Sequence, residues 1–361
     1  MIKVALLGDI AFFGKHCVNN NKDIYAYFRS VKEQLSQYDY VIGNLETPFI
    51  KKGAKTYGSK SAYIGADFEN VKLLKYLGVG IVNLSNNHIF DFGKSSFKDT
   101  LQLLEENKIQ YFGTYDQPDL VIEKEGNKIY LNGYCCYSTN PLGLGKNGIN
   151  VYNFLDVKKQ LEDNSKNGIN SIFSIHAGQE HVNYPNYDHL YLARELAKVS
   201  PYVYYGHHPH VLQGIEVKQN AIIAHSLGNF CFDDVYTEMS KEPLIKQTDN
   251  NKSSIILEIH YENNKIVGHH AVPIFLADNE IVVGKEGIIN DLQQYSDYLK
   301  TEKSEYVSYR NGLFANYIVE RKNMRNFNWY IKRLRFKSVK MILNSRKNSK
   351  NYIENVKSFV K

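Results

Sequence analysis

The sequence predicts an α/β fold built around a largely parallel sheet. Short apolar segments of strand character alternate with segments of helical periodicity from the first residue onward, the pattern of βα units. Polar residues of metal-ligand type stand at the ends of successive strands, where open α/β sheets gather their functional groups. With 361 residues, 43% apolar and 23% charged, the chain is long enough to bury a sizeable core, and its composition excludes a disordered, collagen-like or disulfide-scaffold protein.

The elements follow in order. Ile2–Leu7 is an uninterrupted apolar run and reads as a buried strand. Ile24, Tyr27, Phe28, Val31 and Leu35 set a helical period over Ile24–Tyr38, and Tyr40–Gly43 reads as a second strand. Asp67–Leu77 reads as a helix capped by Asp67. The third strand is Gly80–Leu84 and the next helix Ser95–Asn107. Strand Ser171–Ile175, helix His189–Val199, strand Tyr202–Tyr205 and strand Ala221–Ala224 follow. Ser254–Tyr261 and Lys265–Ile274 flank Glu262-Asn-Asn-Lys265, a hairpin expected to extend or cap the sheet edge. Residues 286–320 read as polar helix. The expected division is a domain over 1–285 and a basic helical extension over 286–361.

Charge is unevenly placed. Residues 321–361 hold thirteen Lys/Arg against Glu354 alone, so the formal +6 of the chain conceals a body with a net charge of −6. In this tail Ile331, Leu334, Val339 and Ile342 recur near helical spacing among Lys332, Arg333, Arg335, Lys337 and Lys340, with Trp329 and Tyr330 at one end. Such a helix can dock its apolar stripe on its own domain, rest on an anionic membrane surface, or meet a polyanion. The acidic body argues against nucleic acid. Mean hydropathy is −0.42 and no apolar run reaches about 18 residues, which excludes a membrane-spanning helix. The apolar run at the N-terminus is too short for a signal peptide and meets Asp9 at once, so the expected location is the cytoplasm, with peripheral contact at the inner membrane face. Cys17, Cys135, Cys136 and Cys231 form no Cys-x-x-Cys pair and read as buried free thiols.

The strand ends carry the chemistry. They read Gly8-Asp9, Asn44-Leu45-Glu46, Asn86-Asn87-His88 with Asp91 beyond, His176-x-Gly178-x-Glu180, Gly206-His207-His208-Pro209-His210 and His225-Ser226-Leu227-Gly228-Asn229. Taken singly several are commonplace: Gly-Asp after a strand is frequent, and Asn44–Glu46 also suits a turn or helix cap. Pro209 should hold the backbone extended and project His208 and His210 together as a chelating pair. Carboxylates, Asn and neutral His converging on one rim would repel one another unless a cation sat among them, and they form the ligand set of Zn, Mn or Fe. One or two such ions would polarise a phosphoryl or carbonyl oxygen and lower the pKa of bound water to about 7.

These motifs, over residue 2 to about 275, resemble the bacterial capsule synthesis proteins (CapA, poly-gamma-glutamate synthesis), a family similar in fold to the calcineurin-like metallophosphoesterases. The resemblance implies a four-layer αββα sandwich with a metal centre at one rim and work on an anionic capsule polymer. Residue by residue it implies Asp9, Glu46, Asn87, His176, His208 and His210 as metal ligands, with His176 and His208 at one position and Asp9 and His210 at the other. It makes His88 the general acid, oriented by Asp91, and places Asn44, Glu180, His207 and Asn229 where substrate is bound. The chain departs from the usual phosphoesterase Asp-x-His motif, because residue 11 is Ala, and Glu46 stands where a bridging Asp is usual. The expected function is therefore a metal-dependent hydrolase, a phosphoesterase first, acting in capsule or surface polysaccharide synthesis on an anionic polymer or phosphorylated sugar. The alternatives are a glutamyl amide hydrolase and a non-catalytic, polymer-binding subunit of a capsule synthesis complex.

Overall fold

The first strand, Ile2–Ile10, is buried along its whole length apart from Lys3, which explains why its sequence is continuously apolar rather than alternating. The computed structural model describes residues 1–237, 240–323 and 336–361. Strand Ile2–Ile10 lies mid-sheet, in the order Ile281–Val283, Lys265–Leu276, Ser253–Glu262, Ile2–Ile10, Tyr40–Leu45, Ile81–Asn83, Gln110–Phe112, with Asn229–Cys231 alongside its end. The strands from Tyr40 to Phe112 run parallel to it, and on the side from Ser253 to Val283 each strand pairs antiparallel with its neighbour. The second sheet runs Ile215–Lys218, Ala221–Ala224, Val203–His207, Asn170–His176, Asn127–Cys135, Asp119–Lys124, parallel through its middle and antiparallel at both edges.

Three cores define the layers. Val4, Leu6 and Ile42 of the first sheet pack on Leu131, Ile172, Val203 and Tyr205 of the second, so the sheets lie face to face. The outer face of the first sheet is covered by the helices within 24–35, 71–77 and 93–106, and that of the second by Phe154–Lys166 and Tyr187–Ala197. The result is the αββα sandwich. The two sheets are those of the sandwich that the resemblance implied; βα alternation by itself suggests a single central sheet, because it records the order of elements and not which sheet a strand joins.

Most of the elements the sequence predicts fall within two or three residues of their expected bounds, but strands Asp119–Lys124 and Asn127–Cys135 and helix Phe154–Lys166 have no counterpart among them. Helix Ile24–Tyr38 is instead two, Ile24–Tyr27 and Arg29–Leu35. Asp67 does not cap its helix. Its carboxylate accepts from Asn19 Nδ2 at 2.9 Å, and the segment opens as a 3₁₀ turn over Phe68–Asn70. The hairpin forms as expected, with Glu262 paired to Lys265 across Asn263 and Asn264, both left-handed (φ 50° and 56°).

Beyond Val283 the described residues are helical: Ile288–Tyr298, Lys303–Asn323 and Phe336–Asn355 with a short 3₁₀ turn. The last helix docks through Tyr352 and Val356, which join the core outside the second sheet, and the Tyr352 hydroxyl donates to Asp188 Oδ2 at 2.6 Å. Of the expected apolar stripe, Ile331 and Leu334 lie outside the described residues, as do Trp329, Tyr330, Lys332, Arg333 and Arg335. Val339 and Ile342, with Leu343, are 52%, 55% and 58% exposed, so the described part of the stripe is not what anchors the helix to the body. No helix among the described residues is long and apolar enough to cross a membrane.

Candidate metal centre

Register aligns the ligand-bearing strand ends. Asp9 pairs with Asn44 and Asn44 with Asn83 in the first sheet, and His207 pairs with His176 in the second. The buried Tyr205 hydroxyl ties the sheets together, donating to the Leu7 carbonyl and lying 3.2 Å from that of Ile42. Two glycines permit the crowding. A Cβ on Gly8 would lie 2.1 Å from the Gly228 carbonyl oxygen, and one on Gly206 would lie 1.9 Å from that of His225.

Six side chains converge. Glu46, His176 and His208 place ligand atoms within 4.8 Å of one another, as do Asp9, Glu46 and His210, and also Glu180, His208 and His210. Glu46 belongs to the first two sets, as the bridging residue between the two expected positions would. Asn87 joins the first, its Oδ1 2.9 Å from His176 Nε2. Pro209 acts differently from expectation: His208 and His210 are both left-handed (φ 95° and 56°) rather than extended, and their rings still meet with centroids 5.9 Å apart. Non-glycine residues on both sides of Pro209 in a disfavoured region store local strain, which is characteristic of functional loops.

The donor set fits a divalent cation. Glu46 is fully buried, and neither of its oxygens has a hydrogen-bond partner; His208 Nδ1 is a second buried orphan. A buried carboxylate without donors is costly unless a cation balances it. Burial, then the neighbouring Asp9, pushes the Glu46 carboxyl well above the usual range. Burial acts on Asp9 in the same sense, but hydrogen bonding and charge from His207, with His210 and Asn44, outweigh it and hold this carboxyl low. Burial and the neighbouring imidazoles keep His176 neutral, and burial brings His208 to about 3, so both are free-base nitrogens suited to ligation.

Of the four residues expected at substrate, only Glu180 lines the cleft. Asn44 donates to Asp9 Oδ1 at 2.8 Å, and His207 Nδ1 lies 3.0 Å from the same oxygen. Asn229 Oδ1 lies 2.9 Å from His210 Nδ1. These three are buried and hold Asp9 and His210 in place, as outer partners of a metal site would in fixing orientation and tautomer.

His88 and Asp91 form the expected pair, with His88 Nδ1 2.6 Å from Asp91 Oδ2. The sequence reading missed Lys60. Its ammonium donates to Asp91 Oδ1 at 2.6 Å and to the Asn87 carbonyl at 2.8 Å, fastening the loop that carries both Asn87 and His88. Burial raises the Asp91 carboxyl, but the charges of His88 and Lys60 prevail and lower it. Nothing in the period or composition near Lys60 marks it. The centre opens on a cleft of about 680 Å³, with Lys60, Arg321 and Lys347 among its walls and the last helix along one side.

A helix-flanked pair of sheets with histidines, carboxylates and an asparagine gathered at one rim is the αββα arrangement expected from the strand-end motifs. Residues 3–234 match the family model described as bacterial capsule synthesis protein PGA_cap, and the chain belongs to that family. It is 29% identical over 276 residues to the capsule biosynthesis protein CapA of Bacillus anthracis, covering 72% of this chain and 66% of that one. To the PGA biosynthesis protein CapA of Bacillus subtilis it is 28% identical over 256 residues, 68% of this chain and 67% of the other. The matched region thus spans about two thirds of the length of these curated relatives. Among solved structures it is similar to a phosphatase of Mycoplasma pneumoniae (TM-score 0.47, 16% identity, 80% of this chain and 96% of that one). It is also similar to a 5'-nucleotidase precursor of Thermus thermophilus (TM-score 0.46, 11% identity, 82% and 58%).

Proposed function

We propose that this protein is a metal-dependent hydrolase, cleaving a phosphoester in capsule or surface polysaccharide synthesis. The observation that carries this reading is Glu46: a fully buried carboxylate with no hydrogen-bond partner, ringed by histidines beside the His88–Asp91 pair. Asp9, Glu46, Asn87, His176, His208 and His210 would hold one or two divalent ions such as Mn, Zn or Fe. A divalent ion there supplies Lewis-acid polarisation of a phosphoryl oxygen and a more acidic water at neutral pH. His88, fixed through Nδ1 by Asp91 and facing the cleft, would deliver a proton to the leaving oxygen. Lys60 holds the backbone of this loop and the carboxylate that orients His88. The basic walls of the cleft suit an anionic polymer or a phosphorylated sugar.

The test is turnover of bis-p-nitrophenyl phosphate, p-nitrophenyl phosphate and a glutamyl polymer by purified protein supplied with Mn or Zn. Phosphoester cleavage is expected, with His88→Ala reducing kcat by about 10²–10⁴ and the His208→Ala, His210→Ala double variant losing bound metal. Cleavage of the glutamyl polymer alone would replace the phosphoester reading with an amide hydrolase. Metal binding without turnover of any of them would make the protein a binding subunit.

The same proposal extends to location. The more than half-exposed Val339 and Leu343, in a segment whose charges are almost all basic, support peripheral contact with an anionic membrane surface near capsule assembly.

A further inference from the structure

We infer that Glu180 is a metal ligand, closing the centre on its cleft side, and not a contact for substrate. This rests on the reading of the centre as a metal site. Among the described residues Glu180 is the one carboxylate that meets His208 and His210 together independently of Glu46, with ligand atoms within 4.8 Å. Glu46 approaches the same histidines from the buried side, so the two carboxylates bracket the imidazoles.

The loop carrying Glu180 is built to hold it there. It leaves the strand at His176, and its backbone bonds to the loop that carries the histidines: Ala177 N–H donates to the His207 carbonyl at 3.1 Å, and His181 N–H to the Pro209 carbonyl at 2.8 Å. Gly178 at φ 112° and His181 at φ 61° make the turn that folds Glu180 back over His208 and His210. The carboxylate and the imidazoles are thus tied through the main chain, the coupling a ligand set needs if its geometry is to survive thermal motion. Side-chain exposure of Glu180 is 33%, which places it between the buried ligands and the cleft. The second, independent observation is the orphaned Nδ1 of His208, an imidazole only 4% exposed with no hydrogen-bond partner for that nitrogen. Three carboxylates, Asp9, Glu46 and Glu180, set among imidazole nitrogens also form a donor set that divalent cations satisfy and that a neutral substrate group would not.

The test is calorimetric titration of metal-stripped protein with Mn²⁺, with metal content after dialysis as a second readout, for wild type and Glu180→Gln. Gln keeps the shape and removes the charge, and at a partly exposed position it should leave the unfolding midpoint of the metal-free protein unchanged. The expected result is a loss of at least about tenfold in Mn²⁺ affinity, the lower end of what removing even a partner of a ligand causes, with Glu180→Asp recovering part of it. Wild type that binds Mn²⁺ and a Glu180→Gln variant that binds it equally well would overturn this inference and leave the metal centre standing. A raised KM at unchanged Mn²⁺ affinity would return Glu180 to the substrate side. Wild type that binds no divalent ion would remove the reading of the centre itself.

Discussion

Glu46 and Asp9 are neighbouring buried carboxyls pushed in opposite directions, and the difference lies in their donors. Asp9 receives Asn44 and a histidine, whereas Glu46 has no hydrogen-bond donor and lies beside Asp9 itself. Because the folded protein without metal holds the Glu46 proton more tightly than the unfolded chain does, proton uptake accompanies folding. Stability is then fully present below the ordinary glutamate pKa of 4.5 and is lost as pH rises toward the raised folded value. Metal-stripped protein in urea should therefore be less stable at pH 8 than at pH 5 through this group. Glu46→Gln should recover roughly 1–3 kcal/mol at pH 8, the usual penalty of an unsatisfied buried polar group, while no longer retaining metal. A flat pH profile with no gain in the variant would remove Glu46 as the strained member of the centre. The identity of these residues was plain in the sequence, but their division of labour was not. Asn44, His207 and Asn229 are as polar as the ligands and lie at the same strand ends, and only distances show that they grip Asp9 and His210 rather than face the cleft.

Elements divide in the same way. Strands such as Ala221–Ala224 and the hairpin at Asn263-Asn264 follow from local chemistry, because an apolar run or two residues tolerant of positive φ act within a few positions. The last helix does not. Its sequence suggests an apolar stripe, yet it is held by Tyr352 on Asp188, by Val356 in the core and by Asn355 on Asn153 Nδ2 at 2.7 Å. Tyr352→Phe leaves the ring in place and removes one hydrogen bond to a carboxylate, a loss of about 1.5–3 kcal/mol. That loss should appear as local opening of the helix. Hydrogen exchange should speed up across 336–355 while strand Ile2–Ile10 keeps its protection. Equal acceleration in both would mean that the helix is an integral part of the cooperative core.

At the scale of the whole molecule, charge is segregated: the body carries −6 and residues 321–361 carry +12. A basic segment with exposed apolar residues gains about 1 kcal/mol per Lys or Arg near an anionic bilayer, an attraction that salt weakens. The protein should co-float with vesicles containing phosphatidylglycerol and not with phosphatidylcholine alone. Raising the salt severalfold should weaken flotation, as should Leu343→Glu. Equal recovery with neutral vesicles, or none with anionic ones, would remove the membrane from the proposal.

Unaided, the sequence determined where about half of the strands and helices lie, and that side chains of metal-ligand type stand where strands end. Both are properties of period and position along the chain, set by interactions a few residues long. The tertiary structure alone decided which strands join which of the two sheets, that Pro209 lies between left-handed neighbours, and that Lys60 reaches Asp91 from another loop. These depend on which surfaces meet across the core, a question of packing and close approach that no local pattern encodes.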